Sequence, residues 1–240
     1  MNLIIDIGNS QTKAALFEKG KLKAKQVFSA FEDNAISSWW KSEGEPKQGI
    51  LSNVGRKVNW PAVWTFPVLE LDHQTKLPFV NAYSTPETLG KDRMALTAAA
   101  VMFYPGHDCL IIDAGTCVTY DFVDRNKTYH GGGISPGLHM RLKSLQHFTS
   151  RLPLVNYSIG FELIGTTTAT SILSGTVGGL KREVENTIAA YQSRYPSMIT
   201  IITGGDANLF DDLLKNSIFA PPDFLITGLN HILDYNAERL

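Results

Sequence analysis

The sequence predicts an α/β fold built from two copies of one unit, and three observations carry that prediction. The pattern Leu-Ile-Ile-Asp-x-Gly-x-x-x-Thr runs from Leu3 to Thr12 and recurs from Leu110 to Thr119, as expected of a repeated structural unit. Short apolar runs of strand length and longer stretches of helix-forming residues both occur in each half. A hydrophobic content of 43% with 19% charged residues over 240 positions is ordinary globular composition, enough for one large domain or two small ones with real cores. The expected division is residues 1–105 and 106–240.

In the first half, Leu3-Ile4-Ile5 reads as a short buried strand that delivers Asp6 to its own carboxyl end. Gly8-Asn9-Ser10-Gln11 makes a tight turn and Thr12 to Glu18 a returning strand. A turn of Gly, Asn and Ser lets backbone N–H groups converge on an anion. Asp6 would repel a phosphate but can reach it through a divalent cation, since magnesium is held by one or two carboxylates plus substrate phosphates. Lys13 adds a positive charge nearby. Such a hairpin alone is also common turn chemistry. Its second copy changes the reading, because two Asp-tipped hairpins could grip the two ends of a triphosphate.

Lys19-Gly20-Lys21 then turns into a third strand, Leu22 to Ser29, and residues 32–48 hold a short helix and a surface loop. Trp39 and Trp40 read as half-buried packing residues. Gly49 to Val54 is expected as a parallel strand, Val58 to Val63 as a helical turn, and Val68 to Leu71 as another strand. Met94 to Phe103 contains strong helix formers and no breaker, which puts Asp92 and Arg93 at a helix start. Two readings of Asp92 stay open: an acid that satisfies free N–H groups, or a proton acceptor kept ionised by the helix dipole. Gly90 permits close approach of backbone to a ligand.

In the second half, Pro105-Gly106 closes the first domain and Asp113 tips the second hairpin. Cys117 to Val123 returns as a strand, 124–127 turns, and Thr128 to His130 pairs back. The glycine-dense stretch Gly131 to Gly137 is neither a P-loop nor a G-x-G-x-x-G fingerprint. It leads, through Pro136, into a helix over 137–148, serving either close packing or N–H donation. A long helix over about 165–195 has Leu173, Val177, Leu180, Val184 and Ile188 on one apolar face. Ser171, Gly175 and Gly179 form a line of small residues that admits a close neighbour from the same chain or a partner subunit. Met198 to Thr203 is a buried strand ending in Gly204-Gly205-Asp206, either a turn with a helix cap or backbone lying flat against an adenine or ribose. A helix to about Lys215 and a final helix over 223–235 complete the chain.

The formal net charge is −1 and no basic run stands out, which argues against nucleic acid as a partner. No apolar stretch approaches the roughly eighteen residues of a membrane span, and Met1 leads straight into a strand without a signal pattern. Cys109 and Cys117 are the only cysteines, both on apolar strand segments and expected as buried thiols. Asn126-Lys127-Thr128 and Asn156-Tyr157-Ser158 match a glycosylation pattern that is idle in a cytosolic chain.

Taken together, Asp6-x-Gly8-Asn9-Ser10-x-x-Lys13, Gly90-x-Asp92-Arg93, Asp113-Ala114-Gly115-Thr116, Gly132-Gly133-Ile134-x-Pro136-Gly137, Gly165-x-x-Thr168 and Gly204-Gly205-Asp206 resemble the type III pantothenate kinases of the acetate/sugar kinase–Hsp70–actin superfamily. The hairpins alone point to the superfamily; Gly-x-Asp-Arg narrows it to the family. The resemblance covers nearly the whole chain. It implies two ribonuclease-H-like domains, each a mixed five-stranded sheet flanked by helices, with ATP between them. It also implies phosphorylation of pantothenate, the first step of coenzyme A synthesis, in a cytoplasmic homodimer.

By position, Asp6, Ile7, Gly8, Asn9, Ser10, Gln11, Thr12 and Lys13 would hold ATP phosphates, with Asp6 organising Mg2+. Thr116, Gly204 and Gly205 would contact ATP, and Asp113 would help bind a monovalent cation, K+ or NH4+. Tyr83, Gly90, Lys91, Asp92, Arg93 and Thr168 would line the pantothenate pocket, with Asp92 as the base. Ser10 stands where Thr is commoner, Thr166-Thr167 where Lys-Asn is usual, and Cys117 is a mild variation in the second turn. A kinase for another small acceptor, or a nucleotide-binding regulatory protein of actin-like fold, are the rival readings; retention of Asp92 and Arg93 favours the enzyme.

Overall fold

A computed structural model describes residues 1–8, 11–54, 64–157, 160–211 and 217–237. The chain forms two compact units: Met1–Gly106 with Asn126–His130 and Asp223–Leu240, and His107–Arg125 with Gly131–Pro222. The chain therefore changes unit near the expected boundary and returns to the first unit twice. The contiguous ranges 1–105 and 106–240 do not include those returns.

The first unit holds β1 (Asn2–Ile7), β2 (Thr12–Glu18), β3 (Lys21–Phe28), α1 (Asp33–Glu43), β4 (Gln48–Asn53), β5 (Val68–Glu70), β6 (Val80–Asn81) and α2 (Lys91–Phe103). Lys19 and Gly20 both adopt positive φ, 51° and 75°, the geometry that turns β2 into β3 with the twist of the sheet. The sheet order β3-β2-β1-β4-β5 makes β1 central, antiparallel to β2 and parallel to β4. Side chains alternate across it. Leu3, Ile5 and Ile7 face α1 and pack with Leu16, Ile36 and Trp40, while Ile4 and Asp6 take the opposite face. Trp40 is buried against Phe66 at 5.7 Å, and Trp39 is half-buried.

The second unit holds β7 (Cys109–Ala114), β8 (Cys117–Val123), most of β9 (Thr128–Pro136), α3 (Leu138–His147), α4 (Thr168–Arg194), β10 (Ile199–Thr203) and β11 (Ile218–Phe219), with strand order β11-β10-β7-β8-β9. β6 pairs in parallel with Thr128 and Tyr129 at the start of β9, residues of the first unit. This makes six strands where five were expected. The last helix, α5 (Phe224–Asn236), belongs to the first unit and lies on α2 so closely that a Cβ on Gly228 would overlap the Ala95 carbonyl. On α4, Val177, Leu180, Val184 and Ile188 are buried as expected, but Ile172 joins them and Leu173 packs only at the edge. Thr167 caps this helix by accepting from the Thr170 N–H.

Several local expectations change. Gly131 to Pro136 is strand, not helix entry: Gly132 lies against the Tyr120 carbonyl where no side chain fits, so there the glycines serve close packing. Gly137, not Pro136, precedes α3. Beyond Gly205 the chain makes a 3-10 turn, Ala207–Phe210; the helix expected to Lys215 runs into 212–216, outside the described residues, as does the turn expected at Val58 to Val63. Cys109 is buried, but Cys117, opening β8 at the hairpin tip, is only half-buried. Among the described residues no helix is long and apolar enough to cross a membrane.

Candidate active site

In the first unit the site begins where β1 ends. Asp6 is 8% exposed, placed opposite Lys13 on β2 and beside Ser52 on β4. Burial drives its pKa above the usual carboxylate value; the Ser52 hydroxyl and the Lys13 charge pull it back, and the charge of Asp92 pushes it up again. Asp92 is therefore near enough to be felt electrostatically at Asp6. The Gly8 N–H donates to the Gln11 carbonyl at 3.0 Å and closes the turn; Asn9 and Ser10 lie outside the described residues. Ile7 turns its side chain into the core, and its carbonyl accepts from the Val54 N–H. Thr12 is buried, and its Oγ1 has no hydrogen-bond partner among the described residues.

Asp92 sits in the first turn of α2, half-buried, its Oδ1 accepting from the Arg93 N–H at 2.8 Å. That bond satisfies one of the open N–H groups of a helix start, so the capping role is real and leaves the second role open. Gly90 leaves room for the Asp92 carboxylate, which a Cβ there would push aside. Arg93 is 5% exposed with its guanidinium 5.6 Å from the Tyr83 ring centroid, and Tyr83 leans on Tyr129 at 6.2 Å. A buried guanidinium against an aromatic wall suits a carboxylate-bearing ligand. Lys91 faces Glu70 at 3.9 Å.

In the second unit Asp113 is the last residue but one of β7, beside Thr203 of β10 and opposite Thr119 of β8. The two hairpins differ in register. Gly8 bonds to Gln11, whereas Gly115 bonds to Cys117, so the second turn is one residue tighter and Thr119 faces Asp113 while Thr12 faces Ile7. Around the second turn, the Gly137 N–H donates to the Thr116 carbonyl at 3.1 Å and the Asp206 N–H to the Ala114 carbonyl at 2.9 Å. Gly204, at φ 98°, lies where a Cβ would meet Ala114 and Asp113. Gly137 likewise leaves no room for a Cβ against Gly115 and Thr116.

Next to this loop is a cavity of about 460 Å³ bordered by Gly205, Asp206, His139, Tyr157 and Lys181. Burial raises the Asp206 pKa, with His139 opposing. A brace steadies α3: Glu183 accepts from Tyr120 at 3.0 Å and pairs with Arg141 at 2.5 Å, and Arg141 donates to the Pro136 carbonyl at 2.7 Å. Burial works against the Glu183 charge, but these partners hold its pKa below the usual value. Thr168, exposed at the start of α4, lines a separate groove of about 660 Å³ with Arg141 and Ser171.

The structure thus sets Lys13 against Asp6 in the first unit, where the charge of Asp92 is also felt, and gathers Asp113, Thr116, Gly204 and Gly205 around the turn of the second. Ser52, His139 and Lys181 escaped the sequence reading. Only the parallel pairing of β1 with β4 gives Ser52 away. Among the described residues no group of three or more His, Cys, Asp or Glu side chains could hold a metal. A single carboxylate such as Asp6 suits magnesium, which is bound through one or two carboxylates plus substrate phosphates.

The sequence profile of the type III pantothenate kinases matches residues 2–190. A type III pantothenate kinase of Christiangramia forsetii is 46% identical, covering 100% of both chains. One from Phocaeicola vulgatus is 44% identical over 98% of this chain and 99% of its own. In structure, the ROK hexokinase of Thermus thermophilus superposes with a TM-score of 0.54 at 13% identity, covering 98% of each chain, a likeness of fold.

Because burial raises the Asp6 pKa, its ionised form weakens the folded state at neutral pH. The penalty is full above the folded-state pKa and is lost as pH falls from there to the lower, unfolded-state value. Asp6→Asn is accordingly expected to melt higher than the wild type at pH 7, with the gap closing in acid. Melting curves across pH check this; an equal or lower melting temperature at pH 7 would contradict it.

Proposed function

The chain belongs to the type III pantothenate kinase family and phosphorylates pantothenate with ATP in coenzyme A biosynthesis; from that premise we propose how its residues divide the work. The observation that carries the assignment is a carboxylate buried near the end of β1, Asp6, with Lys13 opposite it and Ser52 alongside. Asp6, Gly8 to Lys13 and the backbone of Ile7 bind the ATP phosphates. Magnesium, when bound, supplies charge neutralisation at the phosphates, and Asp6 is the residue that would hold it. Thr116, Gly204 and Gly205 bind the rest of ATP, with Gly205 bordering the cavity next to Asp206.

Tyr83, Gly90, Lys91 and Arg93 bind pantothenate, Arg93 facing its carboxylate; Thr168, on a separate groove of the second unit, is assigned to pantothenate by its place in the Gly165-x-x-Thr168 pattern alone. Asp92 orients the primary hydroxyl and takes its proton as oxygen bonds to the γ-phosphorus and the bond to the bridging oxygen of ADP breaks. A primary hydroxyl is far too weak an acid to ionise unaided at pH 7, which is why a positioned carboxylate helps. We further propose that Asp113 helps bind K+ or NH4+. Ser171 and Gly175 are exposed and Gly175 and Gly179 have open space above them, which supports the line they form as the contact of a homodimer. The reaction is assigned to the cytoplasm, where its two substrates are met.

Three measurements test these roles. Asp92→Asn keeps the acceptor for the Arg93 N–H but not the proton acceptor, so turnover should fall by about 10²–10⁴-fold with ATP affinity and melting temperature nearly unchanged. Near-normal turnover would remove Asp92 from the chemistry. Activity should rise on exchanging sodium for potassium or ammonium, and Asp113→Asn should blunt that rise; full activity in sodium alone would count against the site. The double variant Gly175→Leu, Gly179→Leu should run as a monomer in light scattering, and an unchanged dimer would move the interface elsewhere.

A further inference from the structure

Ser52 lies one strand away from Asp6 as its direct partner in the parallel register of β1 and β4. Partners in a parallel pair project to the same face of the sheet, here the face opposite α1. Ser52 is fully buried, and its hydroxyl sits beside the Asp6 carboxylate without a hydrogen bond of full geometry to any described protein atom. A buried hydroxyl left in that state costs stability, and alanine would fill the same volume without the cost. The second unit repeats the arrangement, since Thr203 is the parallel register partner of Asp113. The sequence repeat does not contain it: Ser52 and Thr203 lie on strands outside the duplicated hairpins.

We propose that Ser52 is a positioning residue for ATP binding, its O–H donating to one oxygen of Asp6 and turning the other toward the divalent cation carried by the phosphates. The inference rests on the assignment of Asp6 to the phosphate end of ATP. With the serine in place the carboxylate keeps one orientation before ATP arrives, so less ordering remains to be done on binding. The role acts through Asp6 and touches neither substrate, which separates it from that of Asp92. It also accounts for a polar side chain at a position that packing alone would give to alanine.

Calorimetric titration of the full chain with ATP, with and without Mg2+, tests the proposal. Ser52→Ala is expected to weaken magnesium–ATP binding about tenfold, the worth of one hydrogen bond to a charged group, while magnesium-free ATP binds within about twofold of wild type. In kinetics the KM for ATP rises with turnover at saturation within about threefold, the signature of lost binding and not of lost chemistry. Ser52→Thr, which keeps the donor and mirrors Thr203, stays close to wild type. Unchanged magnesium–ATP affinity in Ser52→Ala, or an equal loss with and without magnesium, overturns the proposal. Asp6→Ala tells the two layers apart. If it loses magnesium-dependent binding while Ser52→Ala keeps it, only the role of Ser52 falls; if it too binds normally, the assignment of Asp6 falls with it.

Discussion

A carboxylate at the end of a central, fully packed strand is the constraint around which this protein is arranged. β1 has neighbours on both edges and apolar layers on both faces, so Asp6 reaches its place only by giving up most of its water. A charge so placed weakens the fold unless something answers it. What the chain offers is partial: one lysine opposite, one hydroxyl alongside, and a second carboxylate that makes matters worse. In the proposed function, a cation arriving with phosphate completes the set.

The close approaches follow from the same need. Functional groups can crowd one strand end only where backbone meets backbone without side chains between. Gly204 and Gly137 allow two loops to touch the second hairpin turn, and Gly90 lets the Asp92 carboxylate fold back over the helix start. Around these points the support is stiff. Arg141 is tied to Glu183 and to the Pro136 carbonyl, immediately before the residue that bonds to Thr116. Arg93 is buried against Tyr83, which rests on Tyr129. Binding groups held by buried, braced neighbours lose little freedom when a ligand arrives.

The two units show how duplication and divergence share one scaffold. Both hairpins bring an aspartate to the end of a central strand, and both aspartates have a hydroxyl residue beside them. Yet the second turn is one residue tighter, so its matched threonine stands opposite the aspartate, whereas in the first hairpin it stands opposite the next residue. One pattern in sequence therefore supports two different local settings, a buried Asp6 facing Lys13 and a half-buried Asp113 facing Thr119.

By itself the sequence determined what depends on neighbours along the chain. The hairpins at Asp6 and Asp113, the helix beginning near Asp92, the long amphipathic helix and the glycine loop at Gly204 all follow from local pattern and turn chemistry. Local signals also put Asp92 in the first turn of its helix, though they could not say that its charge would be felt at Asp6. Only the tertiary structure decided matters of pairing between distant segments. It turned Gly131 to Pro136 into a strand by laying Gly132 on Tyr120, returned the last helix to the first unit through the contact of Gly228 with Ala95, and set Ser52 beside Asp6. The physical reason is that strand register and helix docking are fixed by burial across the whole sheet. A serine at the end of β4 carries no local mark of the aspartate it will meet.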